Sequence, residues 1–428
     1  MERWKINLYT LWVAQVIALM SFGFGLPFIP FYIQELGIRD HSALIFYTGL
    51  ASTIPAATMI IFAPIWGILA DRYGRKLMLQ RAMFSAVFII GGMGFVANVP
   101  QLLVLRALQG IFTGTITASM AFVSANTANN KMSFALGFMT SSNFIGYTIG
   151  PVLGGLLSEQ IGYRYCFIIG GLLMIVGFLL VTLLVKEDKN TYGKSLKAEN
   201  MTENMKTIQQ VEEIDEYTMM TTGSRMPEIS KRTGAANKTK IIVIILIILF
   251  VNRVSRVIFS PFIPLFVQEN INAASGAATY TGLINGAIGI AAAIAAITLA
   301  RLGDRYNKNK VVLVLSIISL PLAVMLAMNN SLLTFTLFFA LFSFVTGGIE
   351  PILTSSASEH TSTKDRGRLF GFLGAVGNCA FMIAPIIGSY ISIKFSVDAI
   401  LFLIPLLVAM QIIIVYNEAR ADKEEKHA

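Results

Sequence analysis

Apolar positions run along this chain in long unbroken stretches separated by short polar connections, and one long polar interval divides the pattern in the middle. The apolar runs cover about residues 8–33, 44–69, 77–97, 102–125, 134–157 and 166–185, then 241–267, 279–300, 311–328, 332–356, 369–393 and 397–416. None alternates with the period of two that marks a half-buried strand. As helices the runs are about 27 to 40 Å long, enough to cross the roughly 30 Å hydrocarbon core of a bilayer. The pattern predicts twelve membrane-crossing helices. Pro27 and Pro30 break the first run late. That run is too long for a signal-peptide core and lacks a small-residue cleavage site, so it is expected to remain as a mature helix.

The interval 186–240 is mixed in charge and rich in Thr, Met, Asn and Glu, with no sustained apolar face. It reads as a linker, with one short amphipathic helix expected near 205–217. The expected organisation is a first six-helix half over 1–185, the linker over 186–240, a second half over 241–416 and a charged tail over 417–428. An internal repeat supports the division. The segment Pro27 to Glu35, PFIPFYIQE, recurs as PFIPLFVQE at Pro261 to Glu269, and Asp71-Arg72-Tyr73 recurs as Asp304-Arg305-Tyr306. Gly150-Pro151 with Gly154 finds a partial echo in Ala384-Pro385 with Gly388. The three offsets agree to within one residue, which points to duplication.

Composition then narrows the class. With 55% hydrophobic and 13% charged residues and a mean hydropathy of +0.68, the chain is an integral membrane protein. A net charge of +9 would suggest nucleic acid in a soluble protein. Here the cations sit in short connections, among them Arg72, Arg75, Lys76, Arg81, Lys131, Arg301, Arg305, Lys308, Lys310, Lys364, Arg366 and Arg368 on one side, against Arg39, Arg164 and Lys394 on the other. No nucleic-acid partner is expected. The bias of Lys and Arg toward the cytoplasm sets both termini inside a bacterial plasma membrane.

The connection from Gly67 to Leu79 carries more than topology. It reads Gly-x-Leu-Ala-Asp-Arg-x-Gly-Arg-Lys-x-x-Leu, with Gly67, Asp71, Arg72, Gly74, Arg75 and Lys76 at defined positions. This resembles the loop 2–3 motif of the major facilitator superfamily. The resemblance implies an all-α fold of twelve transmembrane helices in two pseudo-symmetric six-helix halves. It also implies a gating role for the turn. The fifth run carries Gly137, Gly146, Gly150-Pro151 and Gly154-Gly155, similar to the helix-5 motif of drug:proton antiporters in that superfamily. As physics, such glycines let helices pack closely. In the fourth run, Leu102-x3-Arg106-x2-Gln109-Gly110 resembles the helix-4 motif, whose Arg is linked to proton coupling. With the Gly25-Leu26-Pro27-x2-Pro30 opening, the first 160 residues are similar to the MdtG-type branch of bacterial multidrug exporters.

Several charges remain to be read on their own terms. Arg106 lies only ~6 Å past the start of its run, so it either couples protons or snorkels outward as an anchor. Arg253 and Arg256 lie roughly 18 to 22 Å from the inner end of the seventh run, and Glu350 lies roughly 14 Å deep in the tenth. Intramembrane ionisable residues are functional candidates. An Arg–Glu pair across a cavity can alternate between a paired, ionised carboxylate and a released, protonated one. It can equally be a static strut within the second half. Arg253, Arg256 and Glu350 are thus substrate-cavity candidates, and Arg106 and Glu350 proton-coupling candidates. Two cations against one carboxylate would favour anionic or zwitterionic cargo. Glu35 and Glu269 read as rim residues, and His41 and His360 as loop residues. The cluster Phe335, Phe338, Phe339, Phe342 and Phe344 reads mainly as packing or lipid-facing surface.

The function expected is proton-driven export of amphipathic small molecules, multidrug-type efflux by alternating access. One alternative is a dedicated exporter of an anionic metabolite such as a siderophore or sugar conjugate. Another, of a different class, is a non-transporting membrane sensor. Cys166 and Cys379 have no metal-type spacing, no Gly-x4-Gly-Lys-Ser/Thr loop is present, and no His, Cys or paired-carboxylate cluster lies in the runs. Catalysis, a metal and any cofactor besides protons are therefore not expected. The partners expected are a small molecule, protons and the bilayer, with the chain acting as a monomer.

Overall fold

The computed structural model describes residues 2–127, 131–187, 228–271, 276–329, 331–361 and 366–427. Among them the chain is helical, without a strand, and forms twelve rods. In the first half these are α1 (Arg3–Gly25 and Ile29–Glu35), α2 (His41–Tyr73), α3 (Arg75–Met93), α4 (Val99–Phe112 and Thr115–Asn126), α5 (Met132–Ile161) and α6 (Tyr163–Leu184). In the second they are α7 (Glu228–Val257 and Ile263–Ile271), α8 (Ala277–Thr298 and Ala300–Arg305), α9 (Lys308–Ala327), α10 (Leu332–Glu359), α11 (Arg366–Lys394) and α12 (Ala399–His427). Eleven are long and apolar enough to cross a membrane. The twelfth, α5, has 30 residues and is interrupted by small and polar side chains.

Local chemistry explains the irregularities. The repeated Pro-x-x-Pro segments turn α1 and α7 through a single 3₁₀ turn, Leu26–Phe28 and Ser260–Phe262, because proline cannot donate to the preceding turn. The run over 102–125 is two helices rather than one. Thr113 gives its hydroxyl to the Gln109 carbonyl, and Gly114 follows at φ +126°, a conformation that glycine adopts without strain. Two helices run on into segments read as polar. The seventh rod is already helical at Glu228, where the described residues resume, inside the expected linker. The twelfth continues through the expected tail to His427, because Ala, Arg, Lys and Glu favour helix. The helix expected near 205–217 lies outside the described residues.

Neighbour relations repeat between the halves. Within the first, α1 packs on α5 and α6, α2 on α4, and α3 on α6; within the second, α7 packs on α11 and α12, α8 on α10, and α9 on α12. The halves meet through α5 on α8 and α2 on α11, the same relation viewed from either side. The buried core shows where they are joined. At the end remote from the Gly67–Leu79 turn, one cluster includes both halves, with Phe28, Tyr32 and Ile45 beside Phe259, Phe262 and Ile400. At the turn end each half keeps its own cluster, Leu8, Met83, Phe122 and Val181 in one and Ile245, Val312, Ile349 and Val415 in the other. The hydrogen bonds between halves also lie toward the remote end. They join Gln34 to Gln268, Glu159 to the Thr279 amide, and Ser389 to the Ile45 carbonyl. Thr53 reaches the Met382 carbonyl nearer the middle.

Candidate functional site

Beneath the remote-end contacts, a cavity of about 480 Å³ lies between the halves. Its wall takes Phe22 and Pro27 from α1, Asn143, Phe144 and Tyr147 from α5, Arg256 and Ser260 from the bend of α7, and Asn285 and Ile288 from α8. The frame is apolar and aromatic with a few convergent polar groups, the usual composition of a small-molecule site. Asn285 is oriented by donating to the Thr281 carbonyl at 2.9 Å. The side-chain oxygen of Asn143 is buried without a hydrogen-bond partner, leaving an acceptor free at the wall. Sequence reasoning missed Asn143, Tyr147 and Asn285. The available signal was an amide near the middle of each of two membrane-length rods.

Arg253, Arg256 and Glu350 come together. Three residues apart, the two arginines share one face of α7, and α10 brings Glu350 to both. Arg253 Nη2 donates to Glu350 Oε1, and Arg256 Nη1 lies 3.5 Å from Glu350 Oε2. Gly377 of α11 makes room, since a Cβ there would collide with the Arg253 guanidinium. The pairing stays within the second half and does not bridge the cavity, and among the described lining residues Arg256 is the member that reaches it. The three side chains keep 24 to 30% of their surface exposed, so the pair is shielded but not sealed.

Arg106 belongs to a different network. It is buried, donates from Nε to the Ala51 carbonyl at 2.7 Å and from Nη1 to Gln109 Oε1 at 2.5 Å. Its charge ties α4 to α2 inside the first half instead of extending to the outer interface. Gly110 lets α4 press against the Pro55 backbone one turn further on.

The Gly67–Leu79 turn is built around Gly74, whose φ of +107° ends α2 and starts α3 without a loop. Arg75 donates from Nη1 to the Ala121 carbonyl at 2.7 Å, and Lys76 donates to the Thr182 carbonyl at 3.1 Å. The turn therefore touches α4 and α6 of its own half. Arg72 is exposed, with its guanidinium 5.5 Å from the Tyr73 ring. Asp71 stands in the last turn of α2, and its side chain lies outside the described residues. Gly67 meets nothing within 4 Å, so close packing does not account for it. Glu187 was not foreseen. It follows α6 and accepts from the amides of Arg75 and Lys76, at 3.1 Å each.

The α5 glycines serve two neighbours. Gly146, Gly150 and Gly154 lie against α1 at Leu19, Gly23 and Phe24, while Gly155 lies against Ala278 and Gly282 of α8 across the interface. Gly282 in turn sits on the Pro151 carbonyl. Gly137 meets nothing within 4 Å and takes no part in this packing. The phenylalanines of α10 pack: Phe335, Phe339 and Phe342 are buried, and the first two meet the Phe259 ring in tilted and edge-on contacts.

Comparison with known proteins agrees with this architecture. The family model described as Major Facilitator Superfamily matches residues 11–236 and 245–427. A protein of Lactococcus lactis subsp. lactis (strain IL1403) named multi-drug resistance efflux pump PmrA homolog is 30% identical over 410 residues, covering 96% of this chain and 94% of its own. Multidrug resistance protein MdtG of Citrobacter koseri is 27% identical over 421 residues, covering 98% and 97%. Among solved structures, a bacterial homolog of the human lysosomal transporter Spinster, in an inward-facing and occupied conformation, matches with a TM-score of 0.74 at 12% identity, covering 98% of this chain and 97% of that one. The human organic anion transporter MFSD10 matches with a TM-score of 0.66 at 14% identity, covering 97% and 100%. With its repeated helix pairs, its cavity between halves and a family model that spans both of them, this chain belongs to the Major Facilitator Superfamily.

Proposed function

We propose that this transporter exports amphipathic small molecules across the bacterial plasma membrane in exchange for protons, in the manner of a multidrug efflux pump. The observation that carries the reading is the cavity between the halves, apolar and aromatic but for Thr140, Asn143, Tyr147, Ser260, Asn285 and Arg256, with the Arg253–Glu350–Arg256 cluster at its edge. The names of the relatives from Lactococcus lactis and Citrobacter koseri support efflux. Both termini and the Gly67–Leu79 turn face the cytoplasm in this reading, so the described conformation is closed outside. No cofactor is needed beyond the proton, and one chain suffices.

Antiport requires that proton and cargo exclude one another. Ionised, Glu350 compensates one of the two guanidiniums, and the cavity edge carries a net charge of +1. Protonated, it compensates neither, and a charge of +2 in a low-dielectric site repels a cationic cargo and releases Arg256 from its partner. Proton binding from outside thus expels cargo, and proton loss inside restores the site. Arg106, held between Ala51 and Gln109, is the second coupling candidate. It links the fold of α2 to α4, which move as one body when the halves rock.

Arg256 in the cavity wall favours one further reading, a dedicated exporter of an anionic metabolite such as a siderophore or sugar conjugate. The test is proton-coupled efflux in inverted vesicles, following a pH-sensitive dye while cationic dyes, zwitterions and anionic siderophores are added in turn. Dissipation by varied cations, lost in Glu350→Gln, supports the multidrug antiporter. Dissipation by anions alone, lost in Arg256→Ala, replaces it with the dedicated exporter.

A further inference from the structure

Away from the central cavity, the first half contains a second, smaller one that the transport reading does not use. It has a volume of about 90 Å³ and lies among α2, α3 and α4, just behind the Gly67–Leu79 turn. Trp66 and Met59 form one wall, Arg75 and Arg81 another, and Thr113 and Thr117, either side of the break in α4, a third. Among the described lining residues there is no carboxylate.

Arg81 is the residue that asks for a ligand. Its guanidinium lies 3.3 Å from the centroid of the Trp66 ring, while its Nε and Nη1 are buried and have no hydrogen-bond partner. The indole covers one face of the guanidinium but cannot accept from N–H groups in its plane. Burying charged donors without acceptors is costly, and a charged acceptor recovers that cost. Trp66 is itself fixed, donating to the Ile111 carbonyl at 2.6 Å, so the guanidinium is held in place with two donors unused. Nε and Nη1 sit on opposite edges of the guanidinium, and each edge, completed by Nη2, is a fork that matches two oxygens of one oxyanion.

The surroundings suit the same chemistry. The break at Thr113–Gly114 starts the second segment of α4 inside this wall, and its first turn has no side-chain cap. The N–H groups of such a turn favour negative charge. Space is sufficient, since a buried water needs roughly 10 to 15 Å³ by this measure. Arg81 lies six residues into α3, about 9 Å from the turn along the axis. That depth is within reach of the headgroup phosphates of the leaflet on the turn side, where basic pockets between helices take anionic lipids.

We propose that this cavity is a binding site for a phosphate group, gripped by the Arg81 fork beside Trp66. The phosphate comes either from an anionic lipid headgroup of the turn-side leaflet or from a free phosphate in solution. By mass action the occupant stabilises the α2–α3–α4 packing that supports the turn. The test uses the purified full-length chain in neutral detergent. Dioctanoyl phosphatidylglycerol and, separately, inorganic phosphate are titrated at constant ionic strength, and both thermal midpoint and tryptophan emission are read. In the wild type, one probe raises the midpoint saturably and shifts the emission, and Trp66→Phe removes the emission change while Trp4 and Trp12 remain as references. Arg81→Gln weakens that response at least about tenfold, roughly the 1.4 kcal/mol expected of one charged contact. Response to the lipid alone assigns a headgroup, and response to phosphate assigns a soluble anion. Equal responses in wild type and Arg81→Gln, or none to either probe, overturn the site. Should Arg81→Gln not fold, an unchanged Trp66 emission across both wild-type titrations overturns it as well.

Discussion

Glu187 accepts the backbone amides of both Arg75 and Lys76 at 3.1 Å, so the first residues beyond α6 cap the helix that begins at the Gly67–Leu79 turn. One residue earlier, Lys186 and Asn7 exchange a pair of hydrogen bonds, at 2.9 and 3.1 Å. The start of the interval between halves is thus fastened to α1 and α3 together. Carboxylates at a helix N-terminus satisfy orphan donors and complement the macrodipole. Glu187→Ala is expected to cost about 1 kcal/mol of stability and to slow transport, whereas Glu187→Gln keeps part of the cap. Thermal midpoints and efflux at matched protein levels check this, and Glu187→Ala with unchanged efflux would detach the cap from gating.

Glu350 offers a sharper separation of coupling from folding. Glu350→Ala leaves Arg253 and Arg256 facing each other and is expected to destabilise by about 3 to 5 kcal/mol. Glu350→Gln keeps one acceptor for Arg253 and is expected to fold. Under the proposed mechanism it is fixed in the charge state of the protonated carboxyl, so it no longer moves protons and exchanges cationic cargo weakly, while a neutral cargo still exchanges. Proton release and counterflow of both cargoes, measured on the same vesicles, decide the matter. Loss of counterflow for neutral and cationic cargo alike would make the cluster a structural strut rather than a proton switch.

The α5 glycines divide into testable classes although one motif contains them all. A Cβ at Gly155 would lie 2.5 Å from the Ala278 carbonyl oxygen and obstruct the α5–α8 contact. Overpacking of this kind costs typically 1 to 3 kcal/mol, here charged to the outside-closed state alone. Gly155→Val is therefore expected to shift the population toward opening at the remote end, readable as longer spin-label distances between Arg39 and Ser396. Gly137→Ala meets nothing and is expected to stay within about 0.5 kcal/mol of wild type, with normal transport. Impaired transport in Gly137→Ala would show a role for that glycine other than packing.

The same contrast explains how much of the protein was legible beforehand. Rod positions, the repeat and the tight Gly67–Leu79 turn were readable because hydrophobic length, offset and charge order are properties of the chain in one dimension. Arg253, Arg256 and Glu350 were readable because charge inside a span is conspicuous. Asn143, Tyr147 and Asn285 were not, since lining a cavity depends on the azimuth of each rod, and apolar faces toward lipid and toward protein look alike. Glu187 was hidden for a related reason: its partners are backbone amides more than a hundred positions away, which leave no mark on side-chain pattern. The Thr113–Gly114 break did leave a mark, a β-branched residue followed by glycine, but apolar continuity on both sides masked it.

Gln34 and Gln268 occupy equivalent positions in the two repeats and exchange amide hydrogen bonds across the halves, at 2.8 and 3.3 Å. Each pairs with its own mate, so the pair lies where the halves meet and must separate whenever the remote end opens. Neutral amides suit this task, since two bonds worth about 1 kcal/mol each hold the ends without trapping them. Replacing both by cysteine in a Cys379→Ala background, then bridging them with a short cleavable bis-thiol reagent, is expected to abolish efflux. Reductant should restore it. Bridged protein should still bind cargo from the turn side, because the cavity lies beneath the pair and the bridge leaves the turn end untouched. Efflux that continues at full rate with the bridge in place would mean that cargo leaves without separation of α1 from α7, and alternating access about this cavity would have to be abandoned.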